Sequence, residues 1–467
     1  MFIDSRQIAA ETHLDTSVCI VGGGPAGLTL AMELAGAGIP VSVFESGPLR
    51  LHGPTARLNE GESNGLPYEY SHGQRSRYLG GDSNRWGGYC RPWDPWDFEK
   101  RDWLPDSGWP VNFDTLQPYY RRANSLLKVG SDNFDPEFWH AGSEQSLKRL
   151  SLDPERIREI VTLFSPPLNF NREFSDLLTK SELITVYLRA NAVHVDTDPL
   201  SGNVSRIEFT TLRGNRFFAG ARQYVLAAGG IENIRILLNS NREHPTGLGN
   251  QNDMVGRYFM DHPRLMSGEV KLTPNYRDLS FYDSKYFFKH VRVNGIRVAG
   301  QFTIPFEIQR REGLMNSQMW IRSLYPGETT DAVQSLRRMR LRLARRYSLS
   351  HGLGHDLLTM ARHPLQVGRF AASFAIGSRS MVGKVAMEAI VEPEPTADSR
   401  VTLSETRDSI GLRRAQVDWR LTDRCKRTFD RGFELLGEQL RVGGIAELIP
   451  GEPFEGRPWP RDRKSVV

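Results

Sequence analysis

The run Ser17-Val18-Cys19-Ile20-Val21 is short, apolar and followed at once by glycines, the pattern of a buried strand. After Gly22-Gly23-Gly24-Pro25-Ala26-Gly27 the period changes. Leu28, Leu30, Ala31, Leu34 and Ala35 then fall along a helix. Val41-Ser42-Val43-Phe44 returns to strand and ends at Glu45. Residues 51–75 lose periodicity and read as an extended polar loop. Leu116, Tyr119, Tyr120, Leu126 and Leu127 predict a helix over 114–128. Polar and apolar residues alternate over 183–228, 266–325 and 380–421, which predicts strands, and 425–440 reads as a helix. The mixture predicts an α/β chain, α+β overall.

The glycines turn this pattern into a chemical expectation. Gly22, Gly24 and Gly27 stand between strand and helix in G-x-G-x-x-G spacing. Gly22 suits the tight turn, Gly24 a close backbone approach to a pyrophosphate, and Gly27 close packing of helix on strand. The helix N-terminus then offers N–H groups and a positive dipole end to phosphates. Glu45 ends the next strand, 18 residues past Gly27, where an acid can accept from a ribose hydroxyl. Strand, helix, strand and acid together predict a Rossmann-like dinucleotide unit.

Composition narrows the picture only slightly. Charged residues make up 25% of the 467 residues, and the net charge of +5 does not call for nucleic acid. No apolar run approaches the roughly 20 residues that span a bilayer. The first residues lack the basic and apolar regions of a secretory signal. Cys19, Cys90 and Cys425 are far apart and show no metal-ligand spacing, so a reduced, cytoplasmic chain without a metal is expected. His351 and His355 share a helical spacing, but Gly352 and Gly354 weaken that helix and no third ligand is evident. The one charge anomaly is 336–346, where six arginines surround Leu336, Met339 and Leu343. Such a helix can lie on an anionic membrane, dock a protein, or pack on its own domain as a solvated surface helix.

Two further segments carry candidate chemistry. Gly80-Gly81-Asp82-Ser83-Asn84-Arg85-Trp86-Gly87-Gly88 is either a tight turn capped by Asp82 or a cofactor loop whose backbone passes close to something flat or charged. It lies in a span, Arg77 to Pro110, holding five of the nine tryptophans. Tyr224-Val225-Leu226-Ala227-Ala228-Gly229-Gly230 ends a strand in small residues before a helix, Ile234 to Leu238. That is an ordinary βα turn or a backbone segment closing over a dinucleotide.

With VGGGPAG and FESG, LGGDSNRWGG, ANAVHVDTD with VLAAGGIENIRILL, and VGRYFMDHP in this order, the chain resembles the glucose-methanol-choline (GMC) flavin oxidoreductases. The likeness is to their sugar- and aminosugar-oxidising branch, related to pyranose oxidase and fructose dehydrogenase, and runs from about residue 15 to about residue 450. The resemblance implies FAD, and an alcohol substrate whose carbon passes hydride to flavin N5 while a base takes the hydroxyl proton. It implies that Gly22, Gly24 and Gly27 hold the pyrophosphate, Glu45 the adenosine ribose, and Gly80, Gly81, Ser83 and Asn84 the flavin and pyrophosphate. Val193 would touch adenine through its backbone, and Gly229 would lie near the same half. Arg85 stands where pyranose oxidases carry a flavin-linked histidine, so FAD is expected to be non-covalent. The implied architecture is a discontinuous FAD-binding domain (1–110 and 183–265), a sheet-plus-helix substrate domain (111–182 and 266–450), and an irregular tail, 451–467.

The chain departs from the family at its end. The family's base is a histidine in a C-terminal H-H/N-x-G-T motif, and here no histidine follows His363. The last residues read as a shortened or frameshifted end, and catalysis is expected to be impaired. His262, in Phe259-Met260-Asp261-His262-Pro263, is the candidate substitute base; otherwise it caps a turn before Pro263. The alternatives to a sugar or alcohol oxidoreductase are a non-catalytic flavin-binding remnant or scaffold, and a flavin monooxygenase sharing the first βαβ unit.

Overall fold

The computed structural model describes residues 1–68, 75–142, 149–274, 279–284, 291–343, 352–377, 381–456 and 458–459. Among them no helix is long and apolar enough to cross a membrane.

The first apolar runs build a seven-stranded sheet. Its order is Phe2–Asp4, Ile184–Leu188, Val41–Glu45, Thr12–Val21, Arg216–Leu226, Val204–Thr210, Asn191–Thr197. The first five strands run parallel and the last two join antiparallel. Strand alternation sends Val18 and Ile20 to one face and Cys19 and Val21 to the other. On the first face the helix Pro25–Gly36 packs Leu28 and Ala31 against Val18, Ile20, Val41 and Val43. On the second, Phe44, Phe209 and Phe217 stack beneath Ile236 of the helix Gly230–Asn239. All five residues of Val41–Glu45 are buried, as a central strand covered on both faces requires. Cys19 is such a core residue, and burial pushes its thiol up to about 12.

A second, antiparallel sheet has the order Arg264–Ser267, Lys384–Val391, Ser317–Leu324, Ile296–Thr303, Arg158–Phe164, Tyr89–Cys90. Its back face is apolar. Val161, Leu163, Val298, Phe302, Met319, Ile321, Met387 and Val391 pack on the helix Asp423–Val442. That helix presents Cys425, Phe429, Phe433, Leu436 and Leu440, an i, i+4, i+3 stripe. Its front face is largely polar and is described below. Every strand of the first sheet falls inside 1–110 and 183–265. The second sheet draws Tyr89–Cys90 and the start of Arg264–Ser267 from those same ranges.

The polar stretch 51–75 is not all loop, contrary to expectation. Gly53–Ala56 forms a helical turn capped by His52, whose Nδ1 accepts from Thr55 N. Glu62–Gly65 is a strand, paired parallel with Arg413–Trp419, which pairs in turn with Arg400–Arg407. All four of its residues are exposed, so backbone bonds to a distant segment make this strand and no apolar period marks it. The tryptophan-rich span forms the junction of the two halves. Trp86 touches the cores of both sheets, and Trp103 Nε1 donates to Leu314 O at 3.0 Å.

Candidate functional site

Glycine geometry at the end of the second strand opens a cavity of about 750 Å³, within the roughly 300–1,000 Å³ of small-molecule and cofactor sites. Gly22 has φ +108°, and a Cβ there would sit 2.5 Å from Ala227 O. A Cβ on Gly27 would overlap Gly22 O. Both positions are therefore glycine because of protein contacts. Gly24 differs. It caps the helix Pro25–Gly36 in extended conformation, and a Cβ would find only Gly81 Cα, at 3.9 Å. Nothing in the protein forbids a side chain on Gly24; the space it would enter is the cavity that Gly24 lines. Gly229, at φ +90°, is the second glycine N-cap on this cavity, and a Cβ there would meet nothing within 4 Å. Two helix N-termini without side-chain caps thus converge on one space, an arrangement that offers N–H groups and two positive dipole ends to a pyrophosphate.

The 80–84 loop is fastened to this turn. Gly80 N donates to Gly23 O at 2.8 Å, and a Cβ on Gly81 would lie 2.8 Å from Gly24 Cα. Gly81 lines the cavity. Gly80, Ser83 and Asn84 hold the loop's shape instead. Ser83 Oγ donates to Gly80 O at 2.6 Å and accepts from Phe170 N. Asn84 Nδ2 donates to Leu79 O and Gly81 O, while Asn84 Oδ1 is buried and accepts from nothing among the described residues. Gly27 and Val193 also lie off the lining. On the strand Asn191–Thr197 the lining residue is Ala192, with Ala190 just before it. Pleat alternation puts Val193 on the opposite side from Ala192.

Glu45 lines the cavity, but its carboxylate is engaged. Oε2 accepts from Gly23 N at 2.8 Å and Oε1 from Gly47 N at 2.7 Å. Burial pushes its carboxyl above the ordinary range, against these two N–H bonds and the Arg77 charge. Its first task is thus to clamp the phosphate turn to the end of the third strand, a role the ribose expectation did not include.

Sequence reasoning missed a buried ion cluster on the same wall. Glu232, in the first turn of Gly230–Asn239, meets Arg77 at 2.6 Å, Arg75 at 3.1 Å and Arg235 at 3.2 Å. Burial alone would raise its carboxyl; the three guanidinium groups, Arg77 foremost, overcome that and hold it at about 2. Arg235 also donates to Asp408 Oδ2 at 2.5 Å. Basic residues just ahead of a glycine loop, Arg75 and Arg77 before Gly80, were the available sign.

His262 is exposed and lies off the cavity lining, which its neighbours Phe259, Met260 and Asp261 share. His351 lies outside the described residues. His194, Asp196 and Glu243 bring ligand-type atoms within 4.8 Å of one another. Arg206 and Arg242 occupy the same Asp196 carboxylate, so an ion-pair network accounts for this cluster.

Two stretches lead from the cavity to the front face of the second sheet. Five residues past Asn84, Tyr89 sits with its ring 4.7 Å from that of Phe164. Three residues past Asp261, Arg264 begins the edge strand. On this face Glu388 accepts from Arg264 Nε and Arg322 Nη1, both at 2.8 Å, and from Trp320 Nε1 at 2.7 Å. Burial would raise the Glu388 carboxyl, but the guanidinium pair holds it below its ordinary range. Beside it Thr162 Oγ1 donates to Gln301 Oε1 at 2.5 Å, Gln318 joins both, and Gln301 Nε2 is buried with no acceptor among the described residues. Asp97 adjoins Gln318 and Thr303 around a smaller cavity of about 230 Å³. It accepts from Asp94 N and Asn316 Nδ2, and burial pushes its carboxyl up to about 6. A larger cavity, about 910 Å³, lies away from the glycine turn, between the helices Phe113–Leu126 and Pro136–Ala141 and the strand Arg158–Phe164.

Known proteins share parts of this picture. The family described as "FAD binding domain" matches residues 15–63. The 2-methyl-1,2-propanediol dehydrogenase of Mycolicibacterium austroafricanum is 22% identical over 308 residues, 53% of this chain and 55% of that protein. The match thus spans about half the length of that curated relative. Among solved structures, a variant formate oxidase of Aspergillus oryzae RIB40 is 14% identical with a TM-score of 0.47, over 94% of this chain and 84% of that one. Pyridoxine 4-oxidase from Mesorbium loti is 15% identical with a TM-score of 0.48, over 96% and 84%. At these values the α/β assignment rests on the strand order itself. The matched 15–63 segment holds the glycine turn, its helix and Glu45, so the chain carries an FAD-binding unit and its cofactor is FAD.

Proposed function

We propose that this chain is an FAD-dependent oxidoreductase of the GMC type, acting on the CH–OH group of a sugar or other alcohol, with FAD held non-covalently. The observation that carries the reading is the open Gly24 position between two glycine-capped helix N-termini, on a cavity from which the 80–89 stretch of chain leads on to a polar sheet face. The residues that would hold FAD are Gly22, Gly24, Gly81 and Gly229 at the pyrophosphate, with Glu45 fixing the turn. Bound FAD supplies a two-electron acceptor for an alcohol carbon. The chain's own part is to orient the alcohol. Thr162, Gln301, Gln318 and the Arg264–Glu388–Arg322 group offer donors and acceptors suited to a polyhydroxy compound. The proposed division is a cofactor unit of 1–110 with 183–265, a substrate unit of 111–182 with 266–450, and the tail 451–467. The 2-methyl-1,2-propanediol dehydrogenase likeness supports an alcohol donor, and the oxidoreductase reading stands on it together with the site.

A second reading is a non-catalytic flavin-binding scaffold, favoured by the exposed position of His262 away from the cavity. Anaerobic mixing with a panel of sugars and small alcohols separates the two. Bleaching of the oxidised flavin spectrum is expected for the enzyme. A flavin that stays oxidised with every donor, yet is reduced by dithionite, gives the scaffold. Reduction by NADH instead of an alcohol would overturn both.

A further inference from the structure

The strands Ser317–Leu324 and Lys384–Val391 are hydrogen-bonded neighbours, yet residues 325–383 intervene. Antiparallel neighbours need only a short hairpin loop of about 2–5 residues. Among its described residues are three helices, Asp331–Leu343, Leu353–Arg362 and Pro364–Ile376.

The arginine-rich helix Asp331–Leu343 is the inner layer. Arg337 pairs with Glu328 at 2.7 Å and lies over the ring of Phe370. Arg338 and Arg342 both pair with buried Asp356, Arg338 at 2.5 Å. Of the three uses that the sequence allowed for 336–346, packing on its own domain is the one these contacts describe; residues 344–346 lie outside the described residues.

The outer layer has the opposite character. Pro364–Ile376 is 13 residues long with one charge, Arg369, and buries only Phe370 and Ser373. Leu365 is 77% exposed and Ile376 64%, while Gly368, Ala371, Ala372 and Ala375 are exposed between them. Leu357 and Leu358 of the preceding helix are also exposed. A helix that is apolar all round is ordinarily buried. This one faces outward.

Charge indicates what covers it. Residues 331–376 hold eight arginines against two acids, a net +6, whereas the whole chain nets +5. One of the two acids, Asp356, is consumed inside the excursion. Arg362, His363 and Arg369 flank the apolar face and have no carboxylate partner among the described residues. We propose that the helices Leu353–Arg362 and Pro364–Ile376 seat the protein on an anionic lipid surface. The outer helix lies in the interface plane, Leu365 and Ile376 enter the acyl boundary, and the arginines meet the headgroups. At about 20 Å long it is too short to span the bilayer and of the right length to lie on it.

Vesicle co-sedimentation of the flavin-loaded protein tests this. Vesicles of phosphatidylcholine with phosphatidylglycerol are expected to retain the protein at low salt, and phosphatidylcholine alone at least about tenfold less. High salt releases it. Arg362→Glu with Arg369→Glu is expected to weaken retention about 25-fold, since each basic residue near an anionic surface contributes about fivefold. Leu365→Glu with Ile376→Glu is expected to weaken it about tenfold. All these side chains are exposed, so flavin content and unfolding temperature should match the parent and exclude misfolding. Equal retention by neutral vesicles, or full retention of both double variants, overturns the proposal. So does a lipid-free dimer, seen by light scattering, that Leu365→Glu with Ile376→Glu dissolves, because the face then belongs to a second copy of this chain.

Discussion

The cofactor cavity and the front face of the second sheet are built by different means. Around Gly24 and Gly229 the groups on offer are backbone N–H groups, left open by the absence of side chains. On the front face the groups are side chains from five strands that are far apart in sequence. Arg264, Thr162, Gln301, Trp320 and Glu388 meet only because their strands pair in register. A backbone site is tied to one local motif and tolerates little change. A side-chain site can be retuned residue by residue, which suits a cofactor common to many enzymes beside a substrate that varies.

The sharpest break of this contrast lies on the cofactor wall, at its buried ion cluster. Glu232→Gln leaves three guanidinium groups around a neutral amide, and is expected to cost about 3–5 kcal/mol in urea unfolding at neutral pH. The folded pKa of Glu232, about 2, lies below its ordinary 4.5. The stabilisation is therefore present above about 4.5 and lost as pH falls toward about 2. The gap between parent and variant should close across that window. A gap independent of pH would show that Glu232 acts by packing alone.

Next come the glycines, which separate fold from cofactor. Gly22→Ala meets Ala227 O and a left-handed backbone, and is expected to destabilise by about 3 kcal/mol. Gly24→Ala meets only open space and should alter apoprotein stability by less than about 1 kcal/mol, while lowering FAD affinity about tenfold or more. Paired thermal melts and flavin titrations read the split. Equal flavin affinity in Gly24→Ala and the parent would break the assignment of the cavity.

Smaller effects belong to the second sheet. Glu388→Gln weakens two charged hydrogen-bond pairs that are partly open to water, and should cost about 2 kcal/mol with flavin content retained. If the front face orients the alcohol, this variant raises KM for that alcohol while the bound flavin spectrum stays unchanged. An effect of the opposite sign is expected at Asp97. Its folded pKa, about 6, lies above its ordinary 3.8. A penalty therefore grows as pH rises from about 3.8 to about 6 and persists above. Asp97→Asn removes it, so the variant should melt higher than the parent at about pH 7.5 and not at about pH 3.5. A gain at both pH values would mean that the carboxylate charge is not the cause.

The sequence carried the glycine-turn half further than the second-sheet half for a physical reason. Gly22, Gly24, Gly27 and Glu45 lie within one βαβ unit, where spacing dictates geometry. Even there a second role of Glu45 was not legible, because the two N–H groups it accepts come together only once the turn is folded. On the strand Asn191–Thr197 the lining falls at Ala192, next to Val193, the residue expected to offer its backbone. The strand Glu62–Gly65 had no apolar signal at all. The outer helix Pro364–Ile376 was unread because it lacks the polar stripe by which a surface helix is recognised.

By itself the sequence determined a strand–turn–helix that binds a dinucleotide and a set of alternating strands further along, since backbone freedom at glycine and side-chain period are local properties. Only the tertiary structure decided which arginines surround Glu232 and Glu388, and that the arginine-rich helix turns inward while a largely apolar one faces out. Those outcomes depend on which distant elements pack together, and on the cost of burying a charge without a partner. Neither is written in any single stretch of chain.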